Sequence, residues 1–350
     1  MNEQETREHA TKSQAIEMTG EPLLRVENLK KWFPVRKSII DVVLARKELL
    51  VKAVDGVSFE IGAGEIFGLA GESGSGKTTV GKTILRLYEP TDGSVYFEGK
   101  ELFSLPKKEM KEIRRKLQTI YQDPYESLDP RMTVLDIVCE PLVVHGIGQS
   151  QEEREKIVSQ ALQDVEMSPP EEFLKRHPHE LSGGQRQRVA VARALVLGPQ
   201  FIVADEPVSM LDVSIRAEVL NLMLKLRKTS GISFLFITHD LALAKHVCDK
   251  LAIMYSGKIV DAGPIEEVVN NPVHPYTEAL VAAVPVPDPA AERIKVIIRG
   301  EIPSQMNPPP GCRFHPRCPI SLDICSRKEP ELVEVSNSHV VACHVRARSS

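Results

Sequence analysis

The eight residues Gly71–Thr78, GESGSGKT, constrain this chain more than any other stretch of it. They fit the pattern G-x-x-x-x-G-K-[S/T], and their neighbours supply the context that pattern requires. Ile66–Gly71 (IFGLAG) reads as a short buried strand running into glycine, and a helix is predicted from Lys77 through TTVGKTILRLY. Glycines let backbone N–H groups turn inward around a phosphate, and the helix N-terminus adds positive potential. The candidate ATP contacts are therefore Gly71, Ser73, Gly74, Ser75, Gly76, Lys77, Thr78 and Thr79. Lys77 is placed to reach the β- and γ-phosphates, and Thr78 offers a hydroxyl to Mg²⁺.

A loop of this kind needs a parallel sheet behind it, and the sequence provides the strands. Phe201–Asp205 (FIVAD) and Ser233–Asp240 (SFLFITHD) are apolar runs suited to strands buried on both faces. Strands are also expected at Leu24 to about Lys30 and at Ala53–Ile61, with charged helices near 105–118 and 150–166. Alternating strands and helices predict an α/β fold. Pro34–Lys52 is basic and apolar without a clear period and reads as an insertion or loop. After about Val284 the chain turns proline-rich (VPVPDPAAE, EIPSQMNPPPG), as linkers do, and residues 302–345 are expected to form a separate small unit.

Two further motifs carry chemistry. Asp205 and Glu206 directly follow an apolar strand. A strand-end aspartate helps hold Mg²⁺ beside a phosphate loop, and the adjacent Glu206 is placed to act as general base on water. An exposed acidic turn before Pro207 would look the same. Leu181–Arg188 (LSGGQRQR) puts Ser182, Gly183, Gly184 and Gln185 ahead of a second helical run. A serine cap would explain the helix start alone. The full pattern resembles a second phosphate cradle, and one ATP cannot easily need two cradles from one chain. The second is therefore expected to serve the ATP of a partner subunit.

With these motifs in this order, the chain resembles the ATP-binding cassette (ABC) ATPases. The resemblance implies a P-loop cassette with a RecA-like core and a helical subdomain. It also implies roles for residues that spacing alone does not assign. Gln122 in IYQDP matches the glutamine that contacts Mg²⁺ and water and couples to a membrane subunit. His239 in FITHD matches the switch histidine near the γ-phosphate, Asp212 in SMLD matches the D-loop aspartate, and Phe33 matches the aromatic that stacks on adenine, with Trp32 the near alternative. The implied Mg²⁺ set is Thr78, Gln122 and Asp205, the implied catalytic set Glu206, His239 and Gln122, and the implied trans contacts Ser182, Gly183, Gly184, Gln185 and Asp212.

YQDPYESLDPRMTV, DEPVSMLDVSIRAEVLNL, NNPVHPYTEALVAAVP and IPSQMNPPPGCRFHPRCP are similar to the ATP-binding subunits of dipeptide and oligopeptide permeases. ESGSGKTTVGKTILRLYEPTDG leans toward the type that pairs with a second, non-identical ATPase subunit. The implied partners are that subunit, two transmembrane permease subunits and an external substrate-binding protein, with the chain at the cytoplasmic face of the membrane and peptide or oligosaccharide as cargo. The implied organisation is a flexible tail over 1–22, a nucleotide-binding domain over 23–284 with its helical subdomain at about 123–195, and a C-terminal extension over 285–350. The stretch from about Asp123 to Val143 is expected to take the permease's coupling helices.

Four of the six cysteines, Cys312, Cys318, Cys325 and Cys343, fall in that extension at C-x5-C-x6-C-x17-C. Structural zinc sites show closer pairs, four thiolates can also hold an iron–sulfur cluster, and an unmetallated hairpin is the third reading. The family resemblance implies a [4Fe–4S] cluster, with zinc as the alternative. Cys139 and Cys248 stand alone and read as small buried hydrophobes.

Composition excludes other classes. The formal net charge is −4, and no basic stripe suits the coating of nucleic acid. MNEQETREHATKSQAIEMTG lacks the apolar core of a signal peptide. A soluble ABC ATPase of DNA repair or translation is the competing reading, and it would carry two cassettes or a coiled-coil or zinc insertion, which this sequence lacks.

Overall fold

The structure is a computed structural model that describes residues 21–35, 49–123, 127–284, 305–336 and 338–348. The expected tail, most of the Pro34–Lys52 insertion and the first part of the proline-rich linker lie outside these residues.

Two sheets and a set of helices make up the cassette. The smaller sheet is antiparallel and is built from β1 (Leu24–Pro34), β2 (Leu50–Ile61), β4 (Asp92–Phe97) and β5 (Lys100–Glu101), in the order β2-β1-β4-β5. Both long strands extend past their expected ends because β1 and β2 pair along their whole length, from Leu24↔Ile61 to Pro34↔Leu50. The larger sheet runs β11-β12-β10-β9-β3-β8-β7-β6. Its parallel part is β3 (Ile66–Ala70), β6 (Leu117–Ile120), β7 (Phe201–Asp205), β8 (Ser233–Thr238) and β9 (Lys250–Tyr255). The antiparallel edge is β10 (Lys258–Pro264), β12 (His339–Val341) and β11 (Val333–Ser336).

The apolar strands read as buried on both faces are so, and their period of two divides the core. Ile66, Ile202, Ala204, Phe234 and Phe236 face a helical layer. Phe67, Leu69, Phe201, Val203, Leu235 and Ile237 face the smaller sheet, where Phe59 and Phe67 stack with centroids 4.8 Å apart.

Helix α1 (Lys77–Ile84) follows the phosphate loop and stops earlier than the sequence suggests. Residues 134–195 hold four helices, α3 (Val134–His145), α4 (Gln151–Asp164), α5 (Glu171–Leu174) and α6 (Gly183–Leu195), after α2 (Lys107–Lys116) of the core. Each of the longer ones starts at a cap the sequence encodes: Thr133 with Asp136 for α3, Ser150 for α4, Ser182 with Gln185 for α6. Helix α7 (Val213–Ser230) leads to β8 and α8 (Leu241–Val247) to β9, and α9 (Ile265–Asn270) and α10 (Pro275–Ala282) follow β10. Among the described residues no helix is long and apolar enough to cross a membrane.

The expectation of a separate cysteine unit gives way here. β12 pairs with β10 (Asp261↔Val341), and His339 Nε2 lies 2.6 Å from Asp261 Oδ1 with both side chains wholly buried. Phe314 enters the main core against Tyr255 and Tyr276, and Arg313 donates to Asp55 of β2 and to the Ser256 carbonyl. A short, loop-rich segment buries too little apolar surface to stand alone, so it borrows the cassette's sheet edge and core.

Candidate functional site

Strands β3, β6, β7 and β8 are neighbours running the same way, so the segments leaving their C-terminal ends meet. This is where an open α/β sheet binds ligands. The phosphate loop leaves β3, Gln122 follows β6, Asp205 and Glu206 end β7, and His239 follows β8. All but the buried Asp205 border a cleft of about 690 Å³, lined by Ala53, Gly71, Glu72, Ser73, Gly74, Gly76, Lys77, Thr78, Thr79, Gln122, Glu206, His239, Leu280 and Gln305.

Helix α1 is capped by Gly76 at φ 109° without a side-chain cap hydrogen bond, and Gly76, Lys77, Thr78 and Thr79 at its start all border the cleft. Lys77 bends back over the loop and donates to the carbonyls of Gly71 (2.8 Å) and Glu72 (2.9 Å). Burial lowers its pKa from the ordinary lysine value, opposed by the nearby carboxylates of Glu206, Asp205 and Glu72. Thr78 Oγ1 donates to Asp205 Oδ1 at 3.0 Å, and burial raises the Asp205 pKa while that hydrogen bond lowers it. Hard oxygens from a threonine and a carboxylate suit Mg²⁺, which takes few protein ligands and leaves the rest to phosphate and water.

Glu206 sits at φ +47°, a left-handed conformation uncommon for a non-glycine residue. Its N–H is held by the Ile237 carbonyl at 2.9 Å. Its Oε2 accepts from Gln122 Nε2 at 3.1 Å and lies 3.1 Å from His239 Nδ1. Glutamine, glutamate and histidine therefore meet at one oxygen, and a carboxylate so placed has the chemistry to accept a proton from water.

Other sequence candidates lie elsewhere. Ser182, Gly183, Gly184, Gln185 and Asp212 do not border the cleft. Ser182 Oγ accepts the Gln185 N–H at 3.2 Å, and Gln185 Oε1 accepts the Ser182 N–H at 3.0 Å, a reciprocal cap. A Cβ on Gly184 would sit 2.7 Å from Ile215 Cγ2, so this glycine is needed for packing as well. Phe33 also lies off the cleft: it meets Tyr88 edge-on at 5.4 Å under the Lys31 ammonium. Its near alternative, Trp32, donates to Asp55 Oδ1 at 3.0 Å.

Cys312 lies within electrostatic reach of Cys318, Cys325 and Cys343. The sulfurs of Cys312 and Cys318 accept the N–H groups of Phe314 and Ile320. Burial pushes the Cys312 thiol up to about 12 and raises that of Cys318. Among the described residues, however, no three His, Cys, Asp or Glu side chains form a group that could hold a metal ion. The expected metal site, iron–sulfur or zinc, is thus not established among the described residues. Cys248 is buried, as read, with its thiol pKa raised by burial, and Cys139 is half-buried.

Sequence reasoning missed Ala53, Glu72, Leu280 and Gln305 of the cleft. Gln305 lies 231 residues from the Gly74 carbonyl it donates to, beyond any local pattern.

The ABC transporter family model matches residues 54–209, and the model for the oligopeptide/dipeptide transporter C-terminal region matches residues 260–325. The Bacillus subtilis protein named "Putative oligopeptide transport ATP-binding protein YkfD" is 47% identical over 326 residues, covering 93% of this chain and 95% of that one. The oligopeptide transport ATP-binding protein AppF of Bacillus subtilis is 45% identical over 328 residues, covering 93% and 98%. Among solved structures, the dimeric ATP-binding cassette MJ0796 bound to ADP and Pi matches with a TM-score of 0.60 at 30% identity, over 69% of this chain and 98% of that one.

Proposed function

The chain belongs to the ATP-binding subunits of oligopeptide- and dipeptide-type ABC transporters, and from that premise we propose that it hydrolyses ATP to power peptide import through a membrane complex. The observation that carries the reading is the meeting of Gln122, Glu206 and His239 beside the phosphate loop. Glu206 takes a proton from the attacking water, His239 and Gln122 hold that water in line, and Lys77 draws charge from the β- and γ-phosphates. Thr78, Asp205 and Gln122 would hold Mg²⁺, which neutralises charge developing on the phosphate oxygens when bound.

Ser182, Gly183, Gly184, Gln185 and Asp212 serve the ATP of a second, non-identical ATPase subunit. What supports this is their place off their own cleft, at the start of α6 and α7. One of two membrane-spanning permease subunits docks on the cytoplasmic side of this chain, in a groove of about 320 Å³ between the end of α1, β6 and α3, where Glu140 and Pro141 belong to the stretch expected to take the coupling helices. Leu87, Val143 and Val144, about half-exposed, give that side apolar surface, and Tyr121 of the groove adjoins Gln122. Co-expression with two permease subunits, a second ATPase and a peptide-binding protein, all in vesicles, should give ATP-dependent peptide uptake. Co-purification with nucleic acid and no uptake would overturn the reading.

The four thiols of the extension hold a [4Fe–4S] cluster. The support is the donor set: Cys312 and Cys318 each lie within electrostatic reach of Cys325 and Cys343, and each sulfur has a backbone N–H partner. When bound, such a cluster can carry an electron and cross-links the loops that hold it. Anaerobically purified protein is expected to be brown, with about four iron and four sulfide per chain. Colourless protein with one zinc would defeat this assignment.

A further inference from the structure

The C-terminal extension touches the phosphate loop at two points. Gln305 donates its side-chain amide to the Gly74 carbonyl, while its own carbonyl accepts the Lys52 N–H of β2 at 3.1 Å. Arg317, next to Cys318 in the chain, reaches Glu72 of the loop with Nη1–Oε2 at 3.0 Å and Nη2–Oε1 at 3.4 Å. The Arg317 side chain is 9% exposed, and its guanidinium packs over the rings of Tyr255 and Phe314. Tyr276, in the same aromatic group, accepts the Glu72 N–H at 2.9 Å.

We propose that Gln305 and Arg317 are positioning residues of the phosphate loop, so that ATP affinity at this site depends on the docked C-terminal extension. The proposal rests on the reading of the cleft as an ATP site. An anion cradle made of backbone N–H groups works only if the loop's carbonyls are turned away from the phosphates. A trans peptide points its C=O and N–H in opposite directions. The Gln305 amide, by holding the Gly74 carbonyl, fixes which side of that peptide faces the ligand. Glu72 poses a different problem, a carboxylate within the loop that must receive a triphosphate. Arg317 neutralises it with a two-pronged ion pair in a mostly buried setting, where charge is weakly screened. Neither residue touches the reacting atoms, so their removal should weaken binding more than turnover.

The test uses the full-length chain, with Mg²⁺-ATP binding followed by calorimetry and steady-state hydrolysis by the complex. Gln305→Ala should weaken Mg²⁺-ATP about fivefold, the weight of one neutral hydrogen bond. Gln305→Glu, which cannot donate and adds charge, should weaken it more than about 10-fold, with kcat in both within about twofold while KM rises. Arg317→Gln should cost about 10-fold in affinity, and adding Glu72→Gln should recover most of it, because the uncompensated carboxylate is then gone. A merely structural arginine would not be rescued in this way. Unchanged affinity in both Gln305 variants, or an Arg317→Gln loss untouched by Glu72→Gln, would overturn the proposal. A wild-type chain that does not bind Mg²⁺-ATP would overturn the ATPase reading itself.

Discussion

Glu206→Gln is expected to cut ATP turnover by about 10²–10⁴-fold, the usual weight of a general base, while leaving nucleotide binding within a few-fold. The substitution keeps the shape of the side chain and removes the proton acceptor. Oε2 of Glu206 is the atom where the Gln122 amide (3.1 Å) and the His239 ring (3.1 Å) converge. The backbone there is held at φ +47° by the Ile237 carbonyl, so the glutamine should occupy the same place. The Lys77 and Thr78 contacts are untouched, which separates binding from chemistry. Single-turnover hydrolysis and Mg²⁺-ATP affinity, measured side by side, check this. Hydrolysis within tenfold of wild type would remove Glu206 from the role of base.

Gly76→Ala should be as damaging by another route, through loss of the cradle itself. A Cβ at residue 76 would sit 2.0 Å from the Ala53 carbonyl oxygen and 2.8 Å from Met254 Cε, at φ +109°. The first contact is with the backbone of β2 and cannot be relieved by a side-chain rotation. The loop, Lys77 and the start of α1 must shift together. ATP hydrolysis is expected to fall by at least about 100-fold, because a misplacement near 1 Å in such a site costs about that much in rate, and Mg²⁺-ATP binding should fall with it. Gly74→Ala is the control within the same loop. Gly74 also has a positive φ, +76°, but a Cβ there meets nothing within 4 Å. Its cost is the conformational one, about 1–2 kcal/mol, with binding retained within about tenfold. Equal losses in the two variants would show that backbone conformation, and not the approach of β2, sets the demand for glycine at residue 76.

The catalytic cleft was legible because its parts are local. Lys77 and Glu206 sit in motifs tied to apolar strands, whereas Gln122 and His239 are assigned by family resemblance; parallel strands then bring the segments that carry all four to one edge. The strands themselves were legible for the same reason, since burial on both faces leaves an unbroken apolar run such as Phe234–Ile237. Phe33 was harder. It lies on β1 past the strand end expected at about Lys30, and its ring turns to Lys31 and to Tyr88 of the segment between α1 and β4, a contact invisible along the strand. The independence expected of residues 302–345 rested on proline content, which describes how stiff a chain is and not what it packs against.

The sequence by itself determined the chemistry of the cleft: a phosphate loop, a strand-end acid pair and their partners are short motifs whose geometry is set by a few adjacent dihedrals and one helix start. Only the tertiary structure decided what encloses that cleft. Gln305 on Gly74, Arg317 on Glu72 and Arg313 on Asp55 join residues 231, 245 and 258 positions apart. The physical reason is that such contacts are fixed by how the β10–β12 edge and the Tyr255–Tyr276–Phe314 core draw the extension back across the loop, and no periodicity or spacing along the chain records that return.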